Sequence, residues 1–185
     1  FTLSKLLWLK NNEPDIFSKI RKVLLPKDYI NFCLTGNFST DVSDASGTGY
    51  FDVKNRKWSK EILAAFNIGK ELLPQVYESS QVVGNITEDI AMQIGLSTNT
   101  IVVAGAGDQA AAAVGNGVVK PGCTSISLGT SGVVFTAVDK PVYDKFGRTH
   151  TFCHAVEDMW HIMGVTQGCG LSVNWFRKNF AHEYS

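Results

Sequence analysis

An α/β fold is what this sequence predicts, on three observations. Segments with helical spacing dominate residues 1–98, and short β-rich runs dominate residues 99–185. Two glycine-rich turns punctuate the second part: Gly105-Ala106-Gly107-Asp108-Gln109 and Ser127-Leu128-Gly129-Thr130-Ser131-Gly132. Helices first, then strands with turn-rich connections, place a junction between two domains near residue 98.

In order along the chain, Leu3, Leu6, Leu7 and Trp8 form a first helical stripe, and Pro14 opens a short second helix. Pro26 starts a third, with Tyr29, Ile30, Cys33 and Leu34 at helical spacing and Gly36 as its terminating glycine. Residues Asp41 to Tyr50 are too small and polar for an ordinary core helix, and read as a connector of Asx and ST turns or as a domain-interface or substrate-side loop. Ser59 caps a helix over Ile62, Leu63 and Phe66. Pro74 and Gly84 punctuate a loop region, and Thr87 opens a helix towards Gly95. Ile101–Ala104 reads as a buried strand, and Gln109–Val114 as a short helix of small residues. Strands follow at 124–128, 133–138, 149–156 and 160–165. A helix over 170–180 then turns Leu171, Trp175 and Phe176 inward. Trp8, Trp58, Trp160 and Trp175 read as core residues.

The charge balance excludes some functions. Seventeen basic and seventeen acidic residues cancel, and they also cancel on each side of residue 98. No basic stripe exists for a nucleic acid, and no polybasic patch for an anionic membrane. No apolar run is long enough to span a bilayer. Cys33, Cys123, Cys153 and Cys169 are too scattered for a disulfide framework, which fits a reducing cytoplasm. His150, Cys153, His154 and His161 resemble a zinc set. They fall in alternating, strand-like sequence whose neighbours face opposite sides, which argues against a metal. The chain opens on Phe1 and has no leader-like start, so it is read as a fragment of something longer.

Asp108 follows a predicted strand, and strand C-termini in α/β sheets line the crevice where ligands bind. A carboxylate there is suited to accept a proton from a hydroxyl during phosphoryl transfer. The loose transition state of that reaction asks for positioning more than basicity. The same residue also suits the N-cap of the following helix, and the two duties are compatible. The stretch Ser127–Gly132 offers small residues, hydroxyls and free N–H groups for an anion, though the motif alone favours a β-hairpin turn. It lacks the lysine of a Walker loop.

The residues then become recognisable. Phe1-Thr2, Lys5-Leu6-Leu7-Trp8-Leu9-Lys10-Asn11-Asn12 resembles the first signature of the FGGY carbohydrate kinases. Leu25-Pro26-Lys27-Asp28-Tyr29, Thr35-Gly36 and Thr40-Asp41-Val42-Ser43-Asp44-Ala45-Ser46-Gly47-Thr48 resemble the next segment of that family. Gly107-Asp108-Gln109-Ala110-Ala111 is similar to its catalytic turn, and Ser127–Gly132 to its phosphate loop. Phe152-Cys153-His154-Ala155 with Trp160-His161-Ile162-Met163 resembles the xylulose-kinase branch.

The resemblance implies two ribonuclease H-like, actin-type domains closing on a sugar and ATP. Residues 1–98 would end the first and residues 99–185 begin the second. It implies a cytoplasmic ATP- and Mg²⁺-dependent kinase that converts D-xylulose to D-xylulose 5-phosphate. Asp108 would be the general base and also touch the sugar, with Gln109 holding it. Gly129, Thr130, Ser131 and Gly132 would approach the ATP phosphates. No protein residue is assigned to a metal. Relatives often carry Asn where Gln109 stands and Gly where Ala106 stands. Glycerol-type members share the Gln, so gluconate, ribulose and glycerol kinases remain alternatives. A non-catalytic actin-like sugar- or nucleotide-binding module is a further one. The expected partners are the sugar and ATP, with a homodimer left open. The fragment alone is expected to have little or no kinase activity, because an Asp-x-Gly-Thr phosphate motif and an adenosine pocket are absent from it.

Overall fold

The structure, a computed structural model, describes residues 1–181. The helices are α1 (Thr2–Asn12), α2 (Pro14–Phe17), α3 (Pro26–Thr35), α4 (Val42–Ser46), α5 (Lys60–Ala65), α6 (Glu88–Ile94), α7 (Asp108–Gly115) and α8 (Gly170–Phe180). Five short strands precede residue 98: β1 (Ser39–Asp41), β2 (Phe51–Asp52), β3 (Lys57–Trp58), β4 (Gln75–Tyr77) and β5 (Val82–Asn85). Five follow it: β6 (Ile101–Val103), β7 (Thr124–Leu128), β8 (Gly132–Val138), β9 (His150–Cys153) and β10 (Trp160–Thr166).

Helix boundaries follow local chemistry. Pro14 and Pro26 occupy first-turn positions, where no N–H is needed. Gly36 and Gly95 close α3 and α6 in the left-handed region, at φ 76° and 72°. The Ser59 hydroxyl accepts from the Ile62 N–H at 3.3 Å, capping α5 as expected.

Residues 1–98 are less helical than their periodicity suggests, because β1 to β5 run through them. β1 pairs parallel with β4, Ser39 facing Gln75. β2 pairs with β3, and β5 pairs antiparallel with β6. Gly84 stands inside β5 at an irregularity of that ladder rather than in a loop. β7, β8, β10 and β9 form an antiparallel sheet in that order, with Trp160–Thr166 opposite Val138–Gly132. β9 stops at Cys153, three residues short of expectation.

The main core joins Leu6, Val42, Ala45, Tyr50, Phe51, Trp58, Leu63, Ile68 and Leu73 to Cys153 of the second part. A smaller core holds Ala113 of α7 against Val118, Phe135, Ala137 and Met159. Polar contacts fasten the β9–β10 end of the sheet to the first part. Cys153 N donates to Ser46 Oγ at 3.0 Å, and Trp160 Nε1 to the Val53 carbonyl at 2.8 Å. Arg56, paired with Glu78, also donates to the Met159 carbonyl at 3.0 Å.

Several expected core positions are on the outside. Trp8 is 56% exposed and Trp175 59%, and Leu171 and Phe176 of α8 are exposed beside it. The β6 strand is not buried either: Ile101 and Val103 are exposed, and only Ala104 beyond its end is enclosed. Most unexpected is α3. Tyr29, Ile30 and Cys33 stand outside, while Asp28 and Asn31 are buried. A helix that buries its polar face has something polar to meet.

Candidate active site

What α3 meets is the turn that carries Asp108. Lys27 extends three N–H donors from the start of α3. They reach Asp28 Oδ1 at 2.9 Å, Asp41 Oδ1 at 3.1 Å and the Ala104 carbonyl at 3.1 Å. Asn31 Nδ2 donates to the same Ala104 carbonyl at 2.9 Å. Burial works against the Lys27 charge, but the carboxylates of Asp41 and Asp28 outweigh it and hold the ammonium above its ordinary pKa.

Asp41 is fully buried and caps α4. Its Oδ2 accepts from Ser43 N at 2.9 Å, Ser43 Oγ at 2.5 Å and Ser79 Oγ at 2.7 Å. The Ser43 oxygen accepts in turn from the Gly107 N–H at 3.0 Å. The Ser79 carbonyl accepts from Gly105 N at 2.9 Å. The stretch expected to be a connector is therefore a buried helix, α4, laid directly on the catalytic-type turn. The two backbones lie in van der Waals contact: a Cβ on Gly107 would sit 3.5 Å from Asp44 Oδ1 and 3.6 Å from Asp44 Cα. Gly105 turns at φ 76°, over the Lys27 stem.

Asp108 is exposed and is the first residue of α7, with Gly107 as its N-cap. The helix thus begins one residue earlier than the sequence suggests. Asp108 Oδ1 accepts from the Gln109 N–H at 2.7 Å, and its charge benefits from the helix N-terminus. Gln109 is half-buried beside it. Asp44 lies across the turn, where burial pushes its carboxyl up to about 6; nearby Lys27 opposes the rise, and the charges of Asp41, Asp28 and Asp108 add to it.

Ser127–Gly132 closes the β7–β8 hairpin, so the hairpin geometry is realised. Two of its carbonyls are bonded by the start of α8. Cys169 N donates to the Thr130 carbonyl and Gly170 N to the Gly129 carbonyl, both at 2.9 Å. The N–H and hydroxyl groups of Thr130 and Ser131 donate to nothing among the described residues. Gly132 and Gly170 are demanded by this packing, since added Cβ atoms would meet Thr166 Cγ2 at 2.9 Å and the Gly129 carbonyl at 2.7 Å. At Gly129 a Cβ would find ordinary contact at 3.6 Å, so the fold itself does not require glycine there.

Asp108 and Gln109 are adjacent, and Gly129 to Gly132 are together. α7 leans through Ala113 on the middle of β8, the strand that Gly132 begins. No hydrogen bond joins the two groups among the described residues. A cavity of about 900 Å³ lies elsewhere, between Lys22, Phe38, Trp58 and Leu63. It is lined by neither group. Missed by the sequence reading were Lys27, Asp28, Asn31 and Ser79; the available signal was Asp28 and Asn31 falling one turn apart on α3. Among the described residues no group of three or more side chains is arranged for a metal, and no helix is long and apolar enough to cross a membrane.

An actin-like, ribonuclease H-like sugar-kinase fold accounts for this arrangement. Residues 1–115 match the N-terminal domain of the FGGY family of carbohydrate kinases, and the chain belongs to that family. It is 43% identical over 180 residues to a xylulose kinase of Lactococcus lactis, covering 97% of this chain and 36% of that one. A crystal structure from Brucella ovis, described as a xyloylose kinase, superposes with a TM-score of 0.92 at 44% identity. That match covers 96% of this chain and 37% of the other. A gluconate kinase from Lactobacillus acidophilus gives 0.90 at 31% identity, covering 96% and 36%. The chain thus spans little more than a third of the relatives it matches.

Proposed function

We propose that this chain is the central part of an ATP-dependent kinase that phosphorylates D-xylulose on its 5-hydroxyl, with Asp108 as the general base. In this reading residues 1–98 end the first domain and residues 99–185 begin the second. The observation that carries it is the Asp108 carboxylate: exposed at the head of α7, on a turn gripped from behind by a buried ionic network. A proton acceptor needs that combination of access and fixed direction.

The residues present fit the nucleotide. Thr130 and Ser131 offer outward donors on a turn whose acceptors are occupied, and Gly129 leaves room for close approach. When bound, ATP would supply the phosphoryl group, with Mg²⁺ offsetting the charge of its oxygens. Asp108 takes the proton of the attacking sugar hydroxyl, Gln109 orients the sugar, and Thr130 and Ser131 hold phosphate oxygens. Domain closure excludes water, so that the sugar is the acceptor.

The relatives described as xylulose kinases support the substrate, and the gluconate kinase superposition favours gluconate as the second choice. An ADP-release assay of the full-length kinase across D-xylulose, D-ribulose, gluconate and glycerol discriminates them, with D-xylulose expected to give the highest kcat/KM. Asp108→Asn is expected to lower kcat about 10³-fold, within the range for a lost general base, and to leave sugar binding by calorimetry intact. Unchanged turnover would reject Asp108 as the base.

A further inference from the structure

We propose that Lys27 and Asp41 are positioning residues for Asp108, acting through Ser43 on the turn that carries it. The inference rests on the reading of Asp108 as the base and goes beyond it, because neither residue touches a reacting atom.

The geometry is a clamp with two jaws and one hinge-pin. Lys27 holds the Ala104 carbonyl, at the entry of the turn, at 3.1 Å. Ser43 holds the Gly107 N–H, at its exit, at 3.0 Å. Both jaws are tied to Asp41, through the ion pair at 3.1 Å and the Ser43 hydroxyl at 2.5 Å. A third tie reaches the middle: Ser79 donates to Asp41 with its hydroxyl and accepts from Gly105 N with its carbonyl. The Lys27 ammonium bonds Asp28 and Ala104 and pairs with Asp41, which also accepts four hydrogen bonds, one of them from Asp44 N at 3.3 Å. In such a chain each bond polarises the next, so the turn is stiffer than separate contacts would make it.

Stability alone does not explain the arrangement. A buried ion pair replaces apolar packing at little or no gain in folding energy. Here Asp28 and Asn31 are turned inward while Tyr29 and Ile30 of the same helix are left outside. The fold gives up apolar burial on α3 to place charge behind the turn that runs from Ala104 to Asp108. A carboxylate that must meet one hydroxyl proton tolerates displacement poorly, about 10²-fold in rate for an ångström.

The test uses the full-length kinase and measures kcat, KM for sugar and ATP, and the melting midpoint for Ser43→Ala, Lys27→Met and Lys27→Arg. Ser43→Ala removes one oxygen and is expected to lower kcat about tenfold, the equivalent of one hydrogen bond, with KM for ATP unchanged. Lys27→Met is expected to lower kcat about a hundredfold, and Lys27→Arg to recover most of that loss. The proposal is overturned if Ser43→Ala keeps the wild-type kcat. It also fails if losses in rate only track the fraction of folded protein, or if Arg at 27 is no better than Met. Should Lys27→Met not fold, Ser43→Ala decides alone. Asp108→Asn in the same assay separates the two readings. An inactive Asp108→Asn beside a fully active Ser43→Ala rejects the clamp and keeps the base, whereas an active Asp108→Asn rejects both.

Discussion

Acid should loosen this fold at one identifiable place, the imidazole of His161. That ring is 3% exposed on β10, stacked on Phe135 with centroids 4.0 Å apart, and neither of its nitrogens has a hydrogen-bond partner among the described residues. Burial, with the nearby His154 adding to it, pushes its pKa down from 6.5 to about 3. The folded state therefore keeps the ring neutral while the unfolded chain binds a proton. The stability that His161 contributes is fully present above pH 6.5 and is lost as the pH falls towards 3. At pH 5 the unfolded ring lies 1.5 units below its own pKa. At about 1.4 kcal/mol per unit the loss is about 2 kcal/mol. Urea unfolding at pH 7.5 and pH 5.0, followed by tryptophan fluorescence, measures it. His161→Phe keeps the stack and removes the titration, so the variant should lose about 2 kcal/mol less than the wild type between the two pH values. Equal losses would show that the ring is solvated or partnered, and would refute the reasoning.

Two further outcomes are expected. Asp44 has its folded pKa raised from 3.8 to about 6, mainly by burial, so its contribution is complete below pH 3.8 and disappears as the pH rises through 6. Asp44→Asn should match the wild type in urea unfolding near pH 4 and exceed it at pH 8 by about 1–2 kcal/mol, after allowing for its partial contact with solvent. Gly170→Ala forces a Cβ to within 2.7 Å of the Gly129 carbonyl and must displace either α8 or the hairpin turn. Steady-state kinetics of the full-length kinase should show a KM for ATP raised about tenfold, with the KM for sugar unchanged; an equal rise in both would detach the turn from the nucleotide.

How much of this was legible in advance depended on how local each cause is. Pro26, Gly36, Ser59, Thr87 and Gly95 mark helix ends because capping chemistry involves neighbours within four residues. The β7–β8 hairpin and α8 were legible for the same reason. The β1–β4 pair was not, because strands of three residues carry no periodic signal and Ser39 finds Gln75 from far along the chain. The helix α4 was hidden because five small, mostly polar residues form a core helix only when another backbone, here Gly105–Gly107, lies against them. The inward face of α3 was not legible, because hydrophobic periodicity identifies that face only when the core it meets is apolar. Of the candidate site, the Asp108 turn was legible from its glycines, and the network behind it was not.

The two glycine-rich turns use helix ends in opposite ways, and this bears on the reaction class. At α7 the helix start carries the carboxylate itself, so its N–H groups steady a negative charge that is free to face outward. At α8 the first N–H groups are spent on the carbonyls of Gly129 and Thr130. That helix start is thereby closed to an anion, and in the proposed reading the donors of Thr130 and Ser131 serve one instead. One site is left with an acceptor and the other with donors. A binding module has no need of that division. A phosphoryl transfer from a nucleotide to an alcohol does, because one partner must lose a proton while the other must have its negative oxygens held.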